Sequence, residues 1–242
     1  MEQDLSNTGG SNNDNNPKSP RIVDALLAGA GIILFWFVAG FLLKFIKPYF
    51  SDRDFVYVSG FLTQSVMGAV LISLMLARGF KLRDLGYRAA PVPSMLGSVG
   101  KAFGLIILFY IIYASILTSL GLTPPGDTVY TFLLSQRSLV FVALNLFLAA
   151  VLAPVLEETV FRGLIYQSLR SKLGPWPSAL LSAALFSALH LDIWGFATRM
   201  FLGVVMAYLY EKYRSVYPSM VLHSVNNGFI FLIFLAVNPS IS

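Results

Sequence analysis

An all-α, polytopic helical membrane protein is the fold class this sequence predicts, and three observations point to it. Of the 242 residues, 56% are hydrophobic and 12% charged, roughly half the charge of an ordinary soluble domain. The apolar residues gather into seven long runs. Between the runs lie short stretches that hold most of the lysines and arginines. A bilayer core of about 30 Å takes a helix of roughly 20 apolar residues, whose backbone satisfies its own hydrogen bonds.

Residues 1–20, MEQDLSNTGGSNNDNNPKSP, are rich in Asn, Ser, Gly and Asp and nearly free of large apolar groups. Such a segment buries too little surface to offset its ordering entropy, so a disordered N-terminal tail is predicted. It does not read as a signal peptide, because the first apolar run begins after Arg21 and is long enough to span. Residues 21–242 read as a single membrane-embedded domain. Its apolar segments cover about 23–43, 55–77, 97–120, 138–160, 176–193, 196–213 and 217–237. The fifth and sixth are short, which predicts a tilted or partly re-entrant pair around Asp192–Gly195. The mixed stretch 128–137 reads as an interfacial helix, and the count is about seven transmembrane helices, with eight as the alternative. Segment 81–93, KLRDLGYRAAPVP, reads as a polar, turn-rich loop. No internal repeat is visible.

Lys and Arg in short loops set orientation. Arg78, Lys81, Arg83 and Arg88 follow the second segment, Arg170 and Lys172 the fourth, and Lys212 and Arg214 the sixth. The opposite loops are poor, apart from Lys44, Lys47 and Arg53, which dissent. Seven spans then place the N-terminus in the cytoplasm. Small size and short loops suggest a prokaryotic plasma membrane or an organellar membrane. The formal net charge is only +5, and no basic stripe is interleaved with aromatics, which argues against a nucleic-acid partner. With no cysteine in the chain, disulfides, thiol nucleophiles and Cys-based metal sites are excluded.

The chemistry-bearing residues stand out because they are misplaced. Glu157 and Glu158 interrupt the run LVFVALNLFLAAVLAPVL as it passes into EETVFR. Acidic groups at membrane depth are costly and mark function by default. Glu158 and Arg162 are four apart, in the favourable order for a helical ion pair, whereas Glu157 points about 100° away and has no local partner. A purely structural network of the three is the bland alternative. The only two histidines, His190 in FSALH and His223 in HSVNN, lie on nearby apolar segments. A lone histidine on such a helix is more often a packing residue than a catalyst. His223 and Asn227 share a helix face at four apart, and Asn226 is the weaker partner at three apart. If Gly174 is the turn between segments four and five, Glu157 lies 17 residues before it and His190 16 after it. An antiparallel hairpin would hold them at one height. His223 lies roughly 10 Å inside the next turn on that side.

These three motifs, EETVFR (157–162), FSALH (186–190) and HSVNN (223–227), resemble in order and spacing the signatures of the CAAX protease and bacteriocin-processing (Abi) family. The Ras-converting CAAX endopeptidase of the endoplasmic reticulum is its eukaryotic relative. The resemblance covers about 140–240. The upstream KLRDLGYR resembles a loop common in bacterial members, and segments one to three carry no diagnostic residues. The resemblance implies an intramembrane endopeptidase in which Glu157 activates water with help from His190. His223 and Asn227 would stabilise the oxyanion, and Glu158 and Arg162 would support. It implies a membrane-protein or lipidated (CAAX-like) peptide substrate within the lipid bilayer. It favours chemistry without a cofactor, the alternative being zinc on Glu157, His190 and His223. The rival readings are a transporter or proton relay built on the buried Glu and His, and a non-catalytic immunity or scaffold protein of the same fold.

Overall fold

The computed structural model describes residues 18–124 and 139–237. The predicted interfacial helix at 128–137, and all but the last three residues of the predicted tail, lie outside the described residues. Among the described residues, helices fall on all seven apolar segments. They are α1 (Ile22–Ile46), α2 (Asp52–Arg78), α3 (Val92–Ser119), α4 (139–173), α5 (Pro175–Ala188), α6 (Phe196–Tyr213) and α7 (Tyr217–Val237). Short 3₁₀ turns stand at Lys47–Tyr49 and Leu82–Leu85.

Of these helices, α1, α2, α3, α4 and α7 are long and apolar enough to cross a membrane. The 14 residues of α5 reach only about 21 Å, short of a hydrocarbon core of about 30 Å. Among the described residues, five of the seven helices thus meet the length and composition of a span, and the α5–α6 pair does not. In the most apolar windows of α1 and α3 only 17% and 11% of the residues are buried inside the protein. Phe37, Phe41, Leu108 and Ile111 point outward. So much contiguous apolar surface is untenable in water and forms the lipid-facing wall of an integral membrane protein.

α4 is the reverse case. Every residue from Glu158 to Tyr166 is buried, as expected of the central helix of a bundle. α7 and the α5–α6 hairpin pack around it, and the Leu82–Leu85 turn packs under it. Its winding is irregular. The widened π stretches Leu148–Leu152 and Thr159–Tyr166 flank the α-helical Ala153–Glu158. Such wide turns often mark functional sites. The first has a local cause. Ala153 N–H bonds to Leu148 O, a reach of five residues. In that register Ala149 O would pair with residue 154, but Pro154 has no N–H to give. The Asn227 side chain supplies the donor from α7, with Nδ2 2.8 Å from Ala149 O.

The 81–93 segment, expected to be simply a polar loop, is a docked element. Leu85 is fully buried, and its backbone carbonyl lies against Gly163. A Cβ on residue 163 would sit 2.5 Å from Leu85 O. Gln167 Nε2 adds a hydrogen bond to Asp84 O at 3.1 Å, and Tyr87 OH meets Thr159 Oγ1 at 2.6 Å. Glycine at 163 is what lets this turn approach α4. Gly163→Ala is therefore expected to destabilise the protein by about 1–3 kcal/mol, the usual cost of overpacking, read as an earlier loss of helicity on heating in detergent.

Candidate active site

Glu157 and Glu158 sit where the α-helical stretch of α4 gives way to its second π stretch. The side chains of Glu158 and Arg162 are both fully buried. Arg162 Nη1 donates to Glu158 Oε1 at 3.0 Å, and Nη2 donates to Gly203 O, also at 3.0 Å. The pairing read from the four-residue spacing is present. A third member comes from α7, with His223 Nδ1 2.9 Å from the same Glu158 oxygen. The oxygen that accepts from Arg162 is an acceptor for the ring as well, so Nδ1 carries a proton and donates it. The ring's other nitrogen, Nε2, is then turned toward Glu157, with Glu157 Oε2 3.8 Å away.

Glu157 borders a cavity of about 430 Å³, and His190, His223, Asn226, Asn227, Tyr110 and Arg199 share its lining. The structure thus brings all the sequence-selected polar groups to one place, except Glu158 and Arg162, which lie behind it. His190 differs from expectation in its setting. α5 ends at Ala188. The chain then tightens, His190 N–H bonding to Ser187 O at 3.1 Å, and reverses at Leu191 with a φ of 52°. His190 therefore stands just past the helix end, exposed, at a lip common to this cavity and a second one between α1, α2 and α4. Its Nδ1 is 2.8 Å from Phe186 O. A carbonyl only accepts, so the proton is on Nδ1 and a neutral ring presents a bare Nε2. Phe186, four residues earlier, stands edge-on to both histidine rings, at 4.9 Å from His190 and 5.7 Å from His223. The Arg162 guanidinium lies 5.0 Å from its centroid. The phenylalanine of FSALH is thus the spacer between the two rings.

Several lining groups lie outside the set selected from the sequence. Asn226, read as the weaker partner, is buried. It accepts from Tyr110 OH at 3.1 Å and donates to Asn227 Oδ1 at 3.3 Å. Tyr110 brings α3 into the site, although the first three segments were read as carrying nothing diagnostic. The available signal was a tyrosine inside an apolar run, since a buried hydroxyl needs a partner. Arg199 of α6 is anchored by Asp192 through a 2.7 Å bond from Nη1. Asp192 also accepts from Trp194 N–H and Gly195 N–H. Arg199 first, then these backbone donors, hold the Asp192 carboxyl below its ordinary range. This Asx-type turn is the predicted reversal at Asp192–Gly195.

The alternative zinc set does not fit. Among the described residues, no group of three or more His, Asp or Glu side chains is placed to hold a metal ion. The reason is local. His190 hangs off the end of α5, bonded through Nδ1 to Phe186 O, so Glu157, His190 and His223 are not gathered as three ligands.

Residues 139–229 match the family described as type II CAAX prenyl endopeptidase Rce1-like. This segment is similar to that family. It holds every residue of the three motifs and most of the cavity wall. Among curated proteins, "Putative membrane peptidase YdiL" of Bacillus subtilis is 26% identical over 94 residues, which is 39% of this chain and 38% of that one. An uncharacterized 24.3 kDa protein of Escherichia coli is 33% identical over 103 residues, 41% of this chain and 47% of its own. UPF0177 protein YbdI of Lactococcus lactis is 26% identical over 91 residues, 37% of this chain and 49% of its own. The chain thus spans about half or less of the relatives it matches. No solved structure matches it. The matched segment begins at the start of α4 and ends in α7, so α1 to α3, including Tyr110, lie outside it.

Proposed function

We propose that this protein is an intramembrane endopeptidase that hydrolyses a peptide bond of a membrane-associated or lipidated substrate with a glutamate-activated water. The observation that carries the reading is the division of labour between adjacent carboxylates. Glu158 is consumed by Arg162 and His223, while Glu157 faces a polar cavity. A carboxylate facing a water-restricted cavity is suited to take a proton. In the proposed step, Glu157 removes a proton from water as its oxygen adds to the scissile carbonyl carbon. His190, with a bare Nε2 in its neutral form, holds that water by its second hydrogen. The negative charge that develops on the carbonyl oxygen is met by a proton on His223 Nε2, the ring being held in place by Glu158 at Nδ1. The amide N–H of Asn227 not used on Ala149 is the second donor. Collapse breaks the C–N bond, and the proton on Glu157 passes to the departing amine.

The membrane-peptidase name of one relative and the Rce1-like match support this class of reaction. The test is cleavage in detergent or proteoliposomes of a panel of fluorogenic transmembrane and prenylated peptides, run in ¹⁸O water. The expected product carries one ¹⁸O in the new carboxylate. If no peptide in the panel is cut by the well-folded protein, the peptidase reading fails. Because the residues present do not form a metal site, activity is expected to survive 1,10-phenanthroline and EDTA at roughly unchanged rate, within about two-fold. Loss that zinc restores would overturn the metal-free mechanism.

A further inference from the structure

We infer that the groove between α3 and α6, at the end of the molecule that carries the basic loops, is a binding site for one anionic phospholipid. Lys101 of α3 and Lys212 of α6 line a single cavity of about 320 Å³. Its walls are apolar, with Leu105 and Val204 facing across it, and Trp176 and Tyr208, both largely exposed, complete it. Among the described residues, no acidic side chain lines this cavity. Lys212 Nζ donates to Ser98 Oγ at 2.8 Å, which positions the ammonium without neutralising it. Glu211, the neighbouring acid on α6, is taken up elsewhere, accepting from Tyr166, Arg170 and Arg214.

Two lysines on adjacent membrane helices over an apolar groove match a phosphate diester with an acyl chain beneath it. Basic pockets between helices bind anionic headgroups in this way, and Trp and Tyr sit at headgroup level. The groove opens on the lipid-facing wall, where α3 exposes Leu105 and Leu108, so its occupant arrives from the bilayer. A zwitterionic lipid brings the same phosphate but also a cation, which two lysines repel. Lysines that merely snorkel to the interface would bind no particular lipid. The site is separate from the Glu157 cavity, and the inference does not rest on the peptidase reading.

The test uses the full chain with Trp36→Phe and Trp194→Phe, leaving Trp176 as the one tryptophan. Its fluorescence is followed in phosphatidylcholine vesicles doped with brominated phosphatidylglycerol or brominated phosphatidylcholine. Half-maximal quenching by the anionic lipid is expected at a roughly five-fold or greater lower mole fraction, the scale of one to two lysine–headgroup contacts. Lys101→Gln with Lys212→Gln removes the difference, and Lys101→Arg with Lys212→Arg keeps it. Lys101→Gln alone, at an exposed position, gives a partial loss and still decides the matter if the double variant does not fold. Equal quenching by both lipids in the parent, or a preference that survives the glutamine variants, overturns the inference. Loss of the preference in 10 mM glycerol phosphate would assign the lysines to a soluble phosphate ligand and overturn it equally.

Discussion

Glu157→Gln is expected to lower kcat for peptide cleavage by about 10³-fold, within the range a general base supplies, while leaving the folded protein intact. The two expectations belong together. Glu157 borders the cavity, and His223 Nε2 stands 3.8 Å from its Oε2, too long for a hydrogen bond. The amide of glutamine fills the same space and keeps a polar face toward the cavity, but it cannot accept a proton. Thermal unfolding in detergent should therefore be unchanged. KM should change little, because the lost interaction is made as the proton moves and not on binding. A variant that cleaves as fast as the parent would remove Glu157 from the mechanism, and one that unfolds early would make it a structural residue.

Arg162→Met is expected to destabilise the protein by about 3–5 kcal/mol, the cost of leaving one member of a buried ion pair without its partner. Arg162 holds Glu158 Oε1 and Gly203 O together across α4 and α6, and both charged side chains are fully buried. α6 comes this close because residue 203 is glycine. A Cβ there would stand 2.8 Å from the Ala183 Cβ of α5 and 3.3 Å from Arg162 Nη2. Removing both charges with Glu158→Leu and Arg162→Met should recover much of the stability, since no unpaired charge then remains. It should not recover activity, because His223 Nδ1 loses the carboxylate that orients its ring. Unfolding midpoints and cleavage rates measured on the same preparations separate the two. If the double variant is as unstable as Arg162→Met, the cost lies in packing and not in the lone charge. If it is fully active, Glu158 does not position His223.

The fold class, the helix at each apolar segment and the turns at Gly174 and Asp192–Gly195 were legible because each is a local property. Apolar run length, a glycine, and an aspartate ahead of free backbone N–H groups act over a few residues. The Glu158–Arg162 pair was legible for the same reason, since helical spacing fixes it. The end of α5 was not. The apolar run of α5 extends past Leu189, but the helix stops at Ala188, where Ser187 Oγ bonds to Phe196 O and Asp192 takes Arg199, partners that lie beyond the run.

What the sequence by itself determined is which residues are anomalous, namely two carboxylates, an arginine, two histidines and an asparagine placed in apolar helices. Their partners were decided only by tertiary structure. Glu158 holds His223 across 65 positions of chain, and Tyr110 reaches Asn226 across 116. Asn227 fills the vacancy that Pro154 leaves at Ala149 across 78. Helical periodicity says which face a side chain occupies, but not which other helix that face meets. That depends on how closely backbones approach, and here Gly163 and Gly203, which carry no Cβ, set the approach.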